Sequence, residues 1–245
     1  MTNNYKSEIN KIREILKNAK HAVFFGGAGM STESGIPDFR GSGGLYTQEG
    51  ENNEYYLSRR CLTVDPMAFY RFYKKNMVFE DARPNAAHYA LAKLEERGII
   101  KAVLTQNIDG LHQAAGSKRV IELHGTVSRY YCMRCGKVFD SAYVDGEEGI
   151  PKCSECGGIV RPDVTLYGEA LDGFTFRDAE NEVARADVLI VGGSSLTVYP
   201  AASLIGNFNG TLIIINYSPT AYDSSADFVI PASVSDVLSS IAEEI

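Results

Sequence analysis

Residues 22–31, AVFFGGAGMS, join a short apolar run to a glycine-rich turn, and this junction decides the predicted fold. Four consecutive apolar residues at 22–25 are typical of a strand covered on both faces of a sheet. Glycines directly after such a strand let backbone N–H groups approach a phosphate where the next helix begins. The turn at residues 27–31 is therefore a candidate nucleotide-binding loop.

Similar apolar runs recur along the chain between helical patterns. Strands are predicted at residues 102–105, 188–191 and 212–215, with shorter ones at 120–123 and 228–230. Their hydrophobicity is nearly continuous, as expected for strands buried on both faces. The alternation of strands and helices predicts an α/β fold with a doubly wound parallel sheet.

The helices between these strands have recognisable ends. Ser7 is expected to cap the first helix, and Pro84 to lie in the first turn of a helix that stops near Gly98. Another helix is predicted to begin near Pro200, and an amphipathic helix from Val234 closes the chain.

Two stretches depart from this alternation. Residues 41–83 are glycine-rich, polar and aromatic without a clear strand, and residues 125–160 contain most of the cysteines. We interpret the two stretches as one small domain, inserted into a larger domain made of residues 1–40, 84–124 and 161–245.

Composition limits the function classes. The chain has 245 residues, a formal net charge of −7 and no dense block of lysine and arginine, which argues against a nucleic-acid-binding surface. No apolar run approaches the roughly 20 residues of a membrane-spanning helix. Residues 1–10 are polar and lack the apolar core of a signal peptide, so the cytoplasm is the expected location, with the nucleus as the alternative in a eukaryote.

Four of the five cysteines form two C-x-x-C pairs, Cys132 with Cys135 and Cys153 with Cys156, with seventeen residues between the pairs. This spacing is typical of a zinc ribbon. Four thiolates complete a tetrahedral shell and leave no open position, so the predicted zinc is structural. A redox C-x-x-C is the alternative, which the presence of two pairs disfavours. Cys61 is expected to be a small buried hydrophobic residue.

Two further strand ends carry small or polar residues. Gly193, Ser194 and Ser195 follow the strand at 188–191, and Asn216 follows the strand at 212–215. Because the carboxyl ends of parallel strands meet at one edge, these residues and the 27–31 loop together favour a dinucleotide site. Taken singly, each segment could be an ordinary loop. The dehydrogenase fingerprint G-x-G-x-x-G is not matched, because threonine stands at the third glycine position.

Candidate reactive groups follow two other strands. The run TQNIDG at 105–110 and His124 in the run ELHG at 122–125 both end a predicted strand. Histidine suits a general base near neutral pH. A structural histidine is the alternative for His124, and a structural role is expected for His88. His112 is expected to shape the neighbouring Asn/Asp loop.

In their residues and their order, these motifs resemble those of the sirtuins, a family of NAD-dependent protein lysine deacylases. The matching segments are GAGMSTESGIPDFR at 27–40, TQNID at 105–109, LHG at 123–125 and the two cysteine pairs. The match covers nearly the whole chain, which corresponds to the compact catalytic core of bacterial sirtuins. The resemblance implies a Rossmann-like NAD-binding domain with a smaller inserted domain, made of a helical module and a four-cysteine zinc ribbon.

The resemblance also implies roles for individual residues. His124 would be the catalytic base, NAD a consumed co-substrate, and the zinc bound by the four cysteines structural. Asp109 would recognise the nicotinamide carboxamide, and Phe39 would shield the reacting sugar. The implied NAD-binding residues are Gly27, Ala28, Gly29, Ser31, Asp38, Phe39, Arg40, Gln106, Asn107, Ile108, Asp109, Gly193, Ser194, Ser195 and Asn216. The implied substrate-binding residues are Val164, Thr165, Leu166, Tyr167, Gly168, Glu169, Val198 and Tyr199.

The reaction that the resemblance implies consumes NAD. The acyl oxygen of the modified lysine attacks the ribose anomeric carbon as nicotinamide leaves, which gives an alkylimidate. His124 would take a proton from the ribose so that a hydroxyl can attack this intermediate. Water then releases lysine and O-acyl-ADP-ribose.

The substrate is expected to be an acylated protein. The segments at 167–171 and 198–200 resemble those between which a substrate peptide adds as a strand. Thr165 and Leu166 depart from the usual valine and aromatic run and are expected to alter the acyl channel. Sirtuins that prefer acidic acyl groups carry Tyr-x-x-Arg, and the corresponding residues of this chain are Tyr73 and Asn76. We therefore predict preference for acetyl or other neutral acyl groups and weak activity on acidic ones.

Other functions use the same features. A protein ADP-ribosyltransferase would also cleave the nicotinamide bond, and a hydride-transferring dehydrogenase would bind the same dinucleotide. A non-hydrolytic NAD-binding module is a third alternative. The expected protein partners are acylated-lysine substrates only, with neither nucleic acid nor membrane, and the chain is expected to be a monomer.

Overall fold

The computed structural model describes residues 5–38, 44, 53–146, 149–206 and 208–245. The strands in these residues are β1 (Ala22–Gly26), β2 (Ile100–Thr105), β3 (Val120–Glu122), β4 (Gly125–Cys132), β5 (Val138–Asp140), β6 (Val160–Val164), β7 (Val188–Gly192), β8 (Thr211–Ile215) and β9 (Phe228–Ile230). The helices are α1 (Lys6–Asn18), α2 (Asn53–Tyr56), α3 (Arg59–Val64), α4 (Pro66–Asn76), α5 (Ala86–Glu96), α6 (Leu111–Ala114), α7 (Ser141–Asp145), α8 (Gly173–Arg185), α9 (Ser203–Gly206) and α10 (Val234–Glu244).

Six strands form a parallel sheet in the order β3–β2–β1–β7–β8–β9. This is the Rossmann-like order, with the strand sequence reversing between β1 and β7. The predicted doubly wound parallel sheet is thus confirmed, including its two short edge strands. The reversal opens a crevice at the carboxyl ends of β1 and β7.

Helices cover both faces of this sheet. On one face, α1, α5 and α10 pack on side chains that include Phe24 and Ile190. On the other face, α8 and α9 pack on side chains that include Phe25 and Leu189. Adjacent residues of a strand point to opposite faces, so the continuous apolar run of β1 fills two cores at once. In the part of the chain that the structure describes, no helix is long and apolar enough to cross a membrane.

A second, antiparallel sheet with the order β5–β4–β6 lies between β3 and β7 in the chain. It shares a core with α3 and α4, built around the buried aromatic residues Phe69, Tyr70, Tyr73 and Tyr130. This arrangement confirms a smaller inserted unit that combines helices with a cysteine-bearing sheet. The boundary expected after residue 160 falls inside β6, whose residues through Val164 pair with β4.

Two expected helix ends differ in the structure. Ser7 lies within the first turn of α1, whose cap position is Tyr5 and has no side-chain cap hydrogen bond. Pro84 precedes α5, and Asn85 is the cap because its side-chain oxygen accepts the Ala87 N–H. The helix starts after Asn85 and not at Pro84, because the Asn85 side chain can accept a hydrogen bond from the first turn.

Candidate active site and metal centre

The loops after β1 and β7 are bonded to each other through their backbones. The Gly27 N–H donates to the Gly192 carbonyl (3.1 Å), and the Gly29 N–H donates to the Gly193 carbonyl (2.8 Å). A Cβ added at Gly29 would lie 2.8 Å from the Gly193 Cα, which is too close for any side chain. The glycines of the first loop are therefore required by loop-to-loop contact, besides any approach of a phosphate.

Ser31 connects this loop to the segment after β2. Its Oγ donates to Asp109 Oδ2 (2.6 Å) and accepts from Asn107 Nδ2 (3.0 Å), and Ser31 itself is buried. The other carboxylate oxygen of Asp109 accepts the Leu111 N–H (2.9 Å). The structure thus brings Ser31 together with two predicted NAD-binding residues, Asn107 and Asp109, that lie more than 70 positions away in the sequence.

These residues line a small cavity of about 50 Å³. Its described lining consists of Ala28, Ser31, Ile36, Pro37, Asn76, Met77, Phe79, Asn107, Ile108 and Asp109. This lining contains the carboxylate of Asp109 and no lysine or arginine. Asp38 follows it and is half-buried, while Phe39 and Arg40 lie outside the described residues.

His124 lies directly after β3, in the loop that leads to β4. Its Nδ1 is 2.9 Å from the Gln106 carbonyl oxygen. A carbonyl can only accept, so Nδ1 carries the proton and Nε2 keeps a lone pair. Burial lowers the pKa of His124, and the hydrogen bond to Gln106 opposes this only in part. The imidazole is therefore held in the neutral form and the tautomer that a general base requires.

Gly125 lets the chain turn sharply after His124. Its φ is 79°, and an added Cβ would lie 2.0 Å from the Asp163 carbonyl oxygen. The next contact across this point is the Thr165 N–H donating to the His124 carbonyl (2.9 Å). His124 is consequently fixed between the two sheets by backbone bonds from both.

Gln106 and Ser194 join the loops after β2 and β7. Ser194 Oγ donates to Gln106 Oε1 (2.8 Å) and accepts the Leu196 N–H (3.2 Å). Asn216 follows β8 at the same edge of the sheet, where its Nδ2 donates to the Ser218 carbonyl (2.6 Å). Ser195 is exposed and its hydroxyl is 2.8 Å from the Thr197 hydroxyl. All four predicted residues therefore lie on the edge that carries Ser31 and His124.

The predicted substrate segment at 164–169 is largely occupied by internal bonds. Val164 and Leu166 are buried in the core that the small sheet shares with α3 and α4. The Tyr167 N–H donates to the Leu57 carbonyl, and the Tyr167 carbonyl accepts the Arg59 N–H. The Glu169 carboxylate binds the buried Arg161 at 2.6 and 3.0 Å. Burial would raise the pKa of Glu169, but the bonds from Arg161 and the Leu166 N–H lower it.

The remaining substrate-segment residues are more accessible. Thr165 is half-buried and Gly168 is exposed, and in the other predicted segment Val198 is half-buried. The Tyr199 side chain is 65% exposed. Main-chain groups of Tyr167 and the carboxylate of Glu169 are already committed, so a peptide added here would have to pair elsewhere in these segments.

The four paired cysteines converge on one point. Their Sγ atoms all lie within 4.8 Å of one another, with Cys132 3.4 Å from Cys156 and Cys135 3.7 Å from Cys153. A tetrahedral shell with Zn–S bonds of about 2.3 Å has S···S distances of about 3.8 Å. The donor set and its spacing fit one zinc ion, and four thiolates leave no position for substrate. Cys61 is fully buried away from them, as predicted.

His88 and His112 form a buried pair behind the Asp109 loop. Their rings are 4.8 Å apart, and both residues are at most 1% exposed. Among the described residues, neither ring nitrogen of His112 has a hydrogen-bond partner. Burial, followed by the neighbouring His88, lowers the pKa of His112 to about 3.

This pair predicts a pH-dependent stability. His112 is protonated below about pH 6.5 in the unfolded chain and only near pH 3 in the folded protein. Between these values the unfolded state binds one more proton, so the free energy of unfolding should fall by about 1.4 kcal/mol per pH unit on acidification. Urea unfolding at pH 6.5 and 4.5 should therefore give a smaller difference for His112→Phe than for the wild type. Equal differences in the two proteins would contradict the buried neutral imidazole.

Sequence reasoning missed one residue next to this site. Asn85 donates from Nδ2 to the Met30 carbonyl (2.7 Å) and to Ser34 Oγ (3.0 Å), within the predicted NAD-binding loop. The available signal was an asparagine directly before an apolar helical pattern, which predicts a cap but not a long-range bond.

The fold and these sites define an α/β nucleotide-binding protein with an inserted four-cysteine zinc unit. The family model described as the Sir2 family matches residues 27–200. The chain is 53% identical over 239 residues to an NAD-dependent protein deacetylase of Clostridium acetobutylicum, covering 96% of this chain and 98% of the relative. This chain belongs to the Sir2 family.

Solved structures agree with this membership. A Sir2 structure with a deacetylated p53 peptide and 3'-O-acetyl-ADP-ribose superposes with a TM-score of 0.89 at 40% identity, covering 96% of this chain and 98% of that one. A Sir2 structure with a p53 peptide and NAD⁺ gives a TM-score of 0.85 at 40% identity, with the same coverage.

Proposed function

We propose that this protein is an NAD-dependent protein lysine deacetylase, which converts NAD and an acetylated lysine into nicotinamide, O-acetyl-ADP-ribose and free lysine. The observation that carries the proposal is His124, whose Nδ1 is bonded to the Gln106 carbonyl while Nε2 keeps its lone pair. It stands at the same sheet edge as the Ser31–Asp109 cavity. The relatives named as NAD-dependent protein deacetylases support it at 44–53% identity.

The chain's own groups fit the steps of this reaction. When bound, NAD supplies a ribose carbon that becomes electrophilic as nicotinamide departs. Asp109 uses one lone pair of each carboxylate oxygen internally and can accept further hydrogen bonds, such as those of a carboxamide. His124 Nε2 then accepts a proton from a ribose hydroxyl, and Gln106 keeps the ring oriented through that transfer.

We infer that residues 41–83 and 125–160 act as the small domain, and that the cleft beside His124 receives NAD and the acyl-lysine. The segments around residues 164–169 and 198–199 would hold the peptide. Four thiolates arranged for zinc fit a reducing compartment, which supports the cytoplasm as its location. We expect a monomer whose protein partners are acylated-lysine substrates.

The function is tested by incubating the purified protein with NAD and an acetyl-lysine peptide. We expect the peptide to lose the acetyl mass while nicotinamide and O-acetyl-ADP-ribose appear in equal amounts. A peptide that instead gains the mass of ADP-ribose would identify a transferase. Formation of NADH would identify a dehydrogenase, and NAD binding without turnover would identify a non-hydrolytic module.

A matched succinyl-lysine peptide tests the acyl preference. Asn76 stands where sirtuins that prefer acidic acyl groups carry arginine, and its neutral amide donates to the Phe72 carbonyl (3.0 Å), so it would offer a succinyl carboxylate no counter-ion. An unpaired buried charge costs several kcal/mol. We therefore expect kcat/KM for the succinyl peptide to be at least about 100-fold below that for the acetyl peptide. More efficient desuccinylation than deacetylation would refute the preference.

A further inference from the structure

Asn85 caps α5 and simultaneously binds the candidate NAD loop. Its Oδ1 accepts the Ala87 N–H (3.0 Å) in the first turn of the helix. Because only the oxygen of the amide can accept that bond, Nδ2 must be the group that faces the loop. There it donates to the Met30 carbonyl (2.7 Å) and to Ser34 Oγ (3.0 Å).

The two acceptors, in Met30 and Ser34, lie on either side of Ser31 in the sequence, and Ser31 lines the cavity. Met30 ends one 3-10 turn, residues 28–30, and Ser34 ends the next, residues 32–34. Ser31 lies between the turns and reaches Asp109 Oδ2 at 2.6 Å. A shift of either turn would move the Ser31 hydroxyl away from that carboxylate.

A second helix cap holds the same segment. Ser233 caps α10 by accepting the Asp236 N–H, and its hydroxyl donates to Glu33 Oε1 (2.7 Å). The caps of α5 and α10 thus approach residues 30–34 from the face of the sheet that both helices cover. Residues 30–34 are therefore held by hydrogen bonds from two helix caps.

We propose that Asn85 is a positioning residue for NAD binding, which acts by holding Met30 and Ser34 so that Ser31 stays bonded to Asp109. The proposal rests on the NAD-dependent function stated above. Asn85 is absent from the described lining of the cavity, so its effect is transmitted through the loop.

Asn85→Asp separates the two roles of the side chain. Aspartate is as good a helix cap as asparagine, and its charge is favourable at a helix N-terminus. It has no N–H, so it loses the donor to the Met30 carbonyl and places an oxygen against it. The helix should therefore stay capped while the loop is released.

The test measures NAD affinity by calorimetry without peptide, and steady-state kinetics with an acetyl-lysine peptide. For Asn85→Asp we expect the Kd and KM of NAD to rise about tenfold, since the bond to the Met30 carbonyl is lost and a repulsion between two oxygens takes its place. The KM of the peptide at saturating NAD should stay within about twofold, because the segments at 164–169 and 198–199 are untouched. Ser34→Ala removes one of the two bonds and leaves the cap intact, so it should give a smaller rise in the same direction.

Ser235→Ala is the matched control. Its hydroxyl contacts Asn85 Oδ1 at 3.4 Å from the α10 side, so the substitution leaves both loop bonds in place. We expect its NAD affinity to equal that of the wild type. If Asn85→Asp is folded and its NAD affinity is unchanged, or if it fails to fold and Ser34→Ala binds NAD normally, the positioning role is wrong. A wild-type protein that neither binds NAD nor deacetylates would instead overturn the proposed function.

Discussion

His124→Ala is expected to lower kcat for deacetylation by about 10²–10⁴-fold, the usual contribution of a positioned general base. The imidazole is held neutral by burial, and the Gln106 carbonyl fixes the proton on Nδ1. Alanine has no group that can accept a proton from a ribose hydroxyl. The measurement is initial-rate kinetics with NAD and an acetyl-lysine peptide.

NAD binding should survive this substitution, with a Kd within about threefold of the wild type, because the Ser31–Asp109 contacts do not involve His124. His21→Ala is the matched control. His21 precedes β1 at the opposite end of the sheet, where its ring is 2.8 Å from Glu182. Full activity of His124→Ala would show that another group is the base, and equal losses in both variants would point to general instability.

Removal of the zinc ligands should abolish activity altogether. Strand β4 begins directly after His124 and ends at Cys132. Its partner strand β6 ends just before Thr165, whose N–H donates to the His124 carbonyl. The zinc site and His124 are therefore connected through the small sheet. Structural zinc contributes roughly 10–16 kcal/mol in small zinc-binding peptides, about as much as the whole stability of a typical domain. We expect Cys132→Ala and Cys153→Ala to lose the zinc, the ordered small sheet and the deacetylase activity together.

Cys61→Ala provides the matched control for this prediction. Cys61 is fully buried in the same small core but lies outside the four-thiolate cluster. Its substitution should cost about 1–2 kcal/mol of stability for the small cavity and leave one zinc ion per chain. Zinc content by atomic absorption, protease resistance and activity should be compared. A Cys132→Ala protein that stays folded and active would show that the zinc is dispensable.

The fold was largely predictable because its signals are local. Near-continuous apolar runs such as residues 22–25 and 188–191 predicted buried parallel strands, and all six occur in the large sheet. Two C-x-x-C pairs predicted the metal centre, since short spacing alone constrains where the thiolates can lie. The caps were less predictable: Ser7 is not the cap of α1, because a local propensity does not show which turn forms first.

The candidate site was predictable as a set of residues but not as a network. The sequence could place Ser31, Asp109 and Asn107 after strands, yet their mutual hydrogen bonds depend on how the loops pack. The same holds for the ion pair between Glu169 and Arg161, which no sequence pattern indicates. The bond from Asn85 to Met30 spans fifty-five positions and left no pattern in the sequence.

By itself, the sequence predicted the buried strands, the four-cysteine cluster and His124 as the candidate base, because these predictions follow from residue type, spacing and motif. Only the tertiary structure shows that a side chain at Gly29 would collide with Gly193 and that the Gln106 carbonyl is bonded to His124. The same is true of the hydrogen bond from Asn85 to Met30. These features depend on contacts between segments far apart in the chain. Such contacts are set by the close packing of the whole sheet and its helices, which a linear pattern does not encode.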